Sequence, residues 1–288
     1  MSAAGGSERR LGFVDVKADN FHANTYRDLL RGDLAGRGWT LAACRAEQVE
    51  GGRAWAKAAG VPHAETWDEL NDRCDAFVVL APSNPEAHLP MVKALAGYGK
   101  PVWVDKTFAT GLADARAIFA VADAAGIPLE TCSALRSTAA QAAARDLGRD
   151  ALRHVVAWAP GGTAREYLVH PLEMAVSVLG PGAVRLERRG DDKNWQVFIE
   201  FTGGRTALVH LALGSDLPFS ATLATREEVR HVTVDGDTLF RDAFSSVLDF
   251  LDRRAPTFDR AETLAIMALL EAALGAVPGG PAVAVPPV

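Results

Sequence analysis

Long apolar runs, blocks of like charge and paired cysteines are all missing from this sequence of 288 residues. No apolar stretch reaches the about eighteen residues that a membrane-spanning helix needs, so no membrane association is expected. Lysine and arginine are scattered and the formal net charge is −6, which disfavours nucleic acid and anionic membrane as partners. Cysteine is limited to Cys44, Cys74 and Cys132, with no CxxC spacing, and these are expected to be small buried hydrophobes rather than ligands or nucleophiles. The opening "MSAAGGSERR" lacks the apolar core of a signal peptide and reads as a loose lead-in, which implies a cytoplasmic protein.

What is present is enough apolar material, 49% of residues, for substantial cores in one large or two ordinary domains. From residue 11 to about 135, strand candidates "LGFVDV", "TLAAC", "AFVVLA", "PVWVD" and "IPLETC" alternate with segments of helical apolar spacing. Such alternation implies an α/β fold with a doubly wound parallel sheet covered by helices on both faces. Later segments such as "RHVVAWAP", "NWQVFIEFTGG" and "RTALVHLALG" imply a mixed, largely antiparallel sheet in an α+β domain closed by two helices and a Pro/Gly-rich tail. The division expected is 1–137 for a Rossmann-like unit and 138–288 for a substrate-binding and oligomerisation unit.

In a parallel sheet of this kind ligands bind beyond the carboxyl ends of the strands. Those ends are Asp15 to Asp19, Arg45, Pro82 to Asn84, Asp105 to Thr107 and Ser133 to Arg136. "VDKTF" places a carboxylate beside an ammonium there, so Lys106 can bond a substrate hydroxyl or relay its proton, with Asp105 holding its charge. In "REYLVHPLEMAVSVLG" the spacing lets Glu166, His170 and Glu173 share one helix face, and a carboxylate beside His170 would raise its basicity. The plainer alternative is a core histidine with surface acids, and Pro171 is expected to kink the helix. No HExxH or cysteine set completes a metal site, so no metal is expected; Asp19 with His22 is the only other pair. His63, His154, His210 and His231 suit core or surface roles.

The stretch "APSNPEAH" followed by "YGKPVWVDKTFAT" resembles the glucose-fructose oxidoreductase, inositol dehydrogenase and MocA family, with Asp105-Lys106-Thr107 where that family has Glu-Lys-Pro. The resemblance extends over nearly the whole chain. It implies that Lys106 approaches both nicotinamide and substrate, and that His170 with a nearby acid, Glu166 or Glu173, takes the substrate proton. It also implies dinucleotide contacts from Gly12, Val14, Asp15, Lys17, His22, Arg45, Ala81, Pro82, Asn84, His88, Asp105, Lys106 and Arg136. His88 is as well explained by packing on its helix, and Arg136 suits an anionic substrate or a phosphate.

Glycine is missing where such a protein most needs it. Asp15 falls at the first glycine of the phosphate loop, and no glycine follows through "VKADNFHANTY". "DNFHANTY" is similar to a histidine-containing turn found in some relatives. Arg45 suits the 2′-phosphate of NADP or else starts a helix at the surface, so NAD and NADP both stay open. The expected activity is NAD(P)-dependent oxidation of a secondary alcohol, or reduction of a ketone, on a sugar, polyol or similar polar small molecule. The alternatives are an epimerase, lyase or isomerase with a lost or tightly held cofactor, and a non-catalytic binder. The outer face of the second sheet suits a homodimer or homotetramer.

Overall fold

The computed structural model describes residues 8–288, so most of the expected lead-in lies outside the described residues. In chain order the elements are β1 (Arg9–Asp15), α1 (Phe21–Arg31), β2 (Trp39–Ala46), α2 (Val49–Ala58), α3 (Trp67–Arg73), β3 (Ala76–Val79), α4 (Pro85–Ala96), β4 (Val102–Val104), α5 (Leu112–Ala125) and β5 (Leu129–Thr131). They continue with α6 (Ala139–Leu147), β6 (His154–Gly161), α7 (Ala164–Tyr167), α8 (Val169–Leu179), β7 (Ala183–Gly190), β8 (Asn194–Phe201), β9 (Arg205–Leu213), β10 (Ser220–Ala224), β11 (Val229–Thr233), α9 (Gly236–Arg253), α10 (Arg260–Gly275) and β12 (Val283–Ala284). Two compact units form: residues up to Thr110 with Arg116–Thr131 and Phe244–Thr257, and Gly111–Ala115 with Cys132–Ala243 and Phe258–Val288.

The first unit is built on a five-stranded sheet in the order β2-β1-β3-β4-β5, with every pairing parallel. Strands buried on both faces explain the near-continuous apolar runs, as in Ala76–Val79, which is buried throughout. The chain leaves β1 for β2 on one side and returns to β3 on the other, so the topological switch point, where such sheets open a ligand crevice, lies between β1 and β3. The end of α9 adds to this core: Tyr26 of α1 stacks on Phe244 with ring centres 4.3 Å apart. Arg37 reaches Ser245, Asp249 and Asp252 along the same helix.

The second unit carries a seven-stranded sheet in the order β11-β10-β6-β9-β8-β7-β12. Only β6 and β9 pair in parallel; the others are antiparallel. Alternate residues of β6 and β9, such as Val155, Ala157, Val209 and Leu211, are buried, whereas Trp158 between them is 37% exposed. The Pro/Gly-rich tail adds the short β12 to the sheet edge. All three cysteines are free and buried, and burial pushes the Cys44 and Cys74 thiols up to about 12.

Candidate cofactor and active site

At the switch point the glycine-free turn is organised by side chains. Asp15, 3% exposed at the end of β1, accepts the Lys17 N–H at 3.0 Å and the Asn20 amide at 2.7 Å. The Ala81 N–H, from the end of β3, bonds the same carboxylate. Asn20 also caps α1 by accepting the Ala23 N–H at 3.0 Å and ties the turn by donating to the Lys17 carbonyl at 2.8 Å. Asp15 therefore fills part of the amide cradle that a glycine loop would leave to an anion. Burial outweighs these donors and raises the Asp15 carboxyl to about 6. The Ala18 and Asp19 amides of the same turn have no acceptor among the described residues. Ala81 has φ of 39°, a left-handed value uncommon outside glycine and concentrated at functional turns.

At the end of β4, Asp105 is 1% exposed. One carboxylate oxygen accepts the Lys106 N–H at 2.7 Å, and the other meets Nδ1 of His22 from the first turn of α1. Asp105 thus engages the Lys106 backbone and the His22 ring. Lys106 is half-buried. The Thr107 hydroxyl is buried without a hydrogen-bond partner among the described residues, an orphan polar group that marks the β4 end as a place for a ligand. Asp19, considered with His22 as the other possible pair, instead accepts from Asn24 at 3.0 Å.

Other expected contacts take structural parts. Gly12 lies inside β1, where an added Cβ would sit 2.8 Å from the Cys74 sulfur, and Val14 is 1% exposed within the same strand. Both are packing positions, because the strand runs on to Asp15 before it reaches the crevice. His88 is fully buried on α4, with Nδ1 3.0 Å from the Phe108 carbonyl and Nε2 3.1 Å from that of Leu80. Burial depresses its pKa, and a neutral ring has one N–H to donate to one of these two carbonyls, so His88 is a packed residue between the ends of β3 and β4. Pro82 and Asn84 form the turn into α4, with the Asn84 N–H on the Ala81 carbonyl.

Arg45 is neither a surface helix start nor an open guanidinium. It lies within β2, donates to the carbonyls of Ala64 and Glu65 and sits 4.7 Å above the Trp67 ring. The residue beyond the strand is Glu47, exposed, with its N–H on the Asp15 carbonyl. An acid here is the group that suits ribose hydroxyls. Reading β2 two residues longer than "TLAAC" would have found it.

The second unit separates its three expected partners. The helix expected across 164–180 is two, α7 and α8, meeting at Leu168. Pro171 falls in the first turn of α8, where a missing N–H costs nothing, so the expected kink is a helix boundary. Glu166 stays on α7 with Thr163, whose hydroxyl donates to it at 3.3 Å. Glu173 is directed to the Ser133 N–H at 2.9 Å and to Arg136 at 3.4 Å, and burial raises its pKa against the pull of that arginine. His170, buried, is walled by Tyr167 and Phe219, with ring centres 5.7 and 5.6 Å away. Arg136 also holds Glu262 at 2.6 Å and lies under the Phe258 ring. Buried between two carboxylates, it is a structural cation rather than a receptor for an anionic ligand.

The profile of an oxidoreductase family with an NAD-binding Rossmann fold, the Gfo/Idh/MocA family, matches residues 17–131. No curated protein matches this sequence. Among solved structures, an oxidoreductase from Agrobacterium radiobacter in complex with NAD+, L-tartaric acid and magnesium is similar at 14% identity and a TM-score of 0.78, with 97% of this chain and 99% of that one covered. A myo-inositol dehydrogenase from Corynebacterium glutamicum is similar at 13% identity and 0.78, over 97% and 99%. The GenD2 protein of gentamicin A biosynthesis, in complex with NAD, is similar at 18% and 0.80, over 99% of each chain. The family profile covers the chain from α1 to the end of β5, and the fold of these solved structures is shared to the end of the second unit.

Proposed function

We propose that the protein is an NAD-dependent oxidoreductase acting on a secondary alcohol or ketone of a sugar, polyol or similar polar small molecule. The observation that carries this proposal is the β4 end, where buried Asp105, half-buried Lys106 and the orphan Thr107 hydroxyl lie at the carboxyl edge of a switch-point sheet. The donor set suits a dinucleotide: the Ala18 and Asp19 amides at the N-terminal side of α1 fit a diphosphate. Glu47 fits adenosine ribose hydroxyls and favours NAD over NADP, whose 2′-phosphate it would repel. Asp15 competes for the diphosphate, and a proton on its carboxyl, raised to about 6, relieves the repulsion. The substrate class is supported by the similar proteins, which include a myo-inositol dehydrogenase and an oxidoreductase holding L-tartaric acid.

A bound nicotinamide supplies the acceptor or donor of hydride. Lys106 hydrogen-bonds the substrate oxygen and holds it as its charge changes. His170 of the second unit, walled by Tyr167 and Phe219, is an alternative acid/base candidate to a base on the first unit, and Glu173 and Arg136 brace its helix through Ser133 and Glu262. The oligomer proposed is a homodimer or homotetramer in which a second copy covers the sheet face carrying Val156, Trp158, Phe198, Leu208 and His210; Trp158 stacks on His210 there at 3.8 Å. Among the described residues no helix is long and apolar enough to cross a membrane, and buried free thiols suit the reducing cytoplasm. The test is spectrophotometric: NAD+ with a panel of inositols, alditols, aldoses and hydroxy acids should yield reduced nicotinamide with at least one compound. A panel that yields none, together with purified protein that carries no nucleotide, would count against the proposal.

A further inference from the structure

Two histidines of the first unit approach the ends of its central strands, and they are built differently. His88 is fully buried with a backbone carbonyl facing each ring nitrogen, an arrangement that can only hold structure together. His22 stands in the first turn of α1, its side chain 13% exposed, with Nδ1 on the carboxylate of an Asp105 whose side chain is 1% exposed. The other oxygen of Asp105 is fixed by the Lys106 N–H, so the carboxylate cannot turn away from the ring. Behind the imidazole, Tyr26 lies 5.8 Å away and is itself stacked on Phe244; ahead of it in sequence, Asn20 fixes the helix start. The ring is thus held by a carboxylate, a helix and an aromatic wall, and it keeps an exposed edge.

We propose that His22, oriented by Asp105, is a proton-transfer residue for the substrate hydroxyl held by Lys106. The inference rests on the oxidoreductase reading above. With the Nδ1 proton donated to Asp105, the neutral ring carries its lone pair on Nε2, the tautomer that a carboxylate–histidine pair selects. In the oxidation direction Nε2 would take the hydroxyl proton while the C–H electron pair departs as hydride to a bound nicotinamide, and the O–H pair left behind would become the second bond of the carbonyl. The imidazolium formed is balanced by the Asp105 carboxylate, and its proton passes to water at the exposed edge; reduction runs the same steps backward. The other charged groups about the pair are Lys106, next in sequence, and Asp15, whose field reaches Asp105. Sequence spacing could not show this pair, because its members are 83 residues apart.

The test has one arm that needs no turnover. In full-length protein labelled with 15N-histidine, His22 should be the Nδ1–H tautomer when neutral, and Asp105→Ala, which removes the acceptor at Nδ1, should shift the tautomer balance toward Nε2–H. An Nε2–H tautomer in the wild type, or a tautomer balance that Asp105→Ala leaves unmoved, overturns the pairing. In the second arm, with NAD+ and any substrate found to turn over, His22→Gln should lower kcat by about 100-fold or more while leaving the Kd for NADH within a few-fold. An unchanged kcat overturns the proposal, and a large loss of NADH affinity with normal kcat at saturation would make His22 a dinucleotide contact instead. Wild-type protein that forms no reduced nicotinamide with any substrate contradicts the oxidoreductase reading, a result separate from a His22→Gln variant that works normally.

Discussion

Asp15 is a carboxyl group in a place that favours its proton. Its folded pKa of about 6 lies above the unfolded value of about 3.9, so between these limits the folded chain holds a proton that the unfolded chain has released. The associated stability is fully present below about pH 4 and is lost as pH rises through about 6, by about 2–3 kcal/mol. Urea unfolding of Asp15→Asn against wild type should show this directly: relative to wild type the variant gains about that much between about pH 4 and pH 8, and a pH-independent difference would contradict it. Buried His88 acts in the opposite sense, since its pKa is depressed, but it is common to both proteins and cancels. Lys106 supports a second prediction. Lys106→Met removes the proposed donor to the substrate oxygen and should reduce kcat by at least ~100-fold, with an unchanged circular dichroism spectrum and melting temperature; wild-type turnover would remove Lys106 from the proposed mechanism. At this scale the sequence was legible where chemistry follows a strand, as at Asp15 and Lys106. It was silent where a partner comes from far away: Arg136 is an anion receptor by residue type and a structural cation by its Glu173 and Glu262 neighbours.

Elements were legible where their period was clean. The run "NFHANTYRDLLRG" gave α1, and the apolar stripe Phe244, Val247, Leu248 and Leu251 of α9 is buried as its spacing requires. What the stripe packs against was not legible, because an amphipathic helix shows which face it buries and not its partner. The end of α9 belongs to the first unit, with Phe244 on Tyr26. Phe244→Ala should therefore destabilise the Rossmann-like unit by about 3–5 kcal/mol, read as loss of amide protection in α1 and β4 by hydrogen exchange; a variant with wild-type stability would contradict that packing. Boundaries were least legible at α3, a short helix started by the Thr66 cap, and at Pro171, where the sequence reads as a kink within one helix and the chain forms two.

For the whole molecule, alternation of strands and helices followed by strand-rich sequence was enough to imply both sheets, although not the order in which their strands lie. The exposed row on β6, β8 and β9 is a feature of the sheet rather than of any one strand: Trp158, His210 and Gln196 are paired neighbours in register. Trp158, exposed and stacked on His210, is the part of this row proposed to meet a second copy of the chain. Trp158→Glu should convert the oligomer to monomer in sedimentation velocity without unfolding it, and a monomeric wild type would contradict the oligomer.

Whether a first unit without phosphate-loop glycines takes a dinucleotide is read from calorimetric titration of the purified protein with NAD, NADH, NADP and NADPH. NAD or NADH should bind at micromolar concentration, the NADP pair more weakly because of Glu47, and Asp15→Gly about tenfold more tightly, where donors worth ~1.5 kcal/mol or more are released to the diphosphate. No binding of any of the four by wild type or by Asp15→Gly would contradict this, and would mean that Asp15 closes the cradle for good.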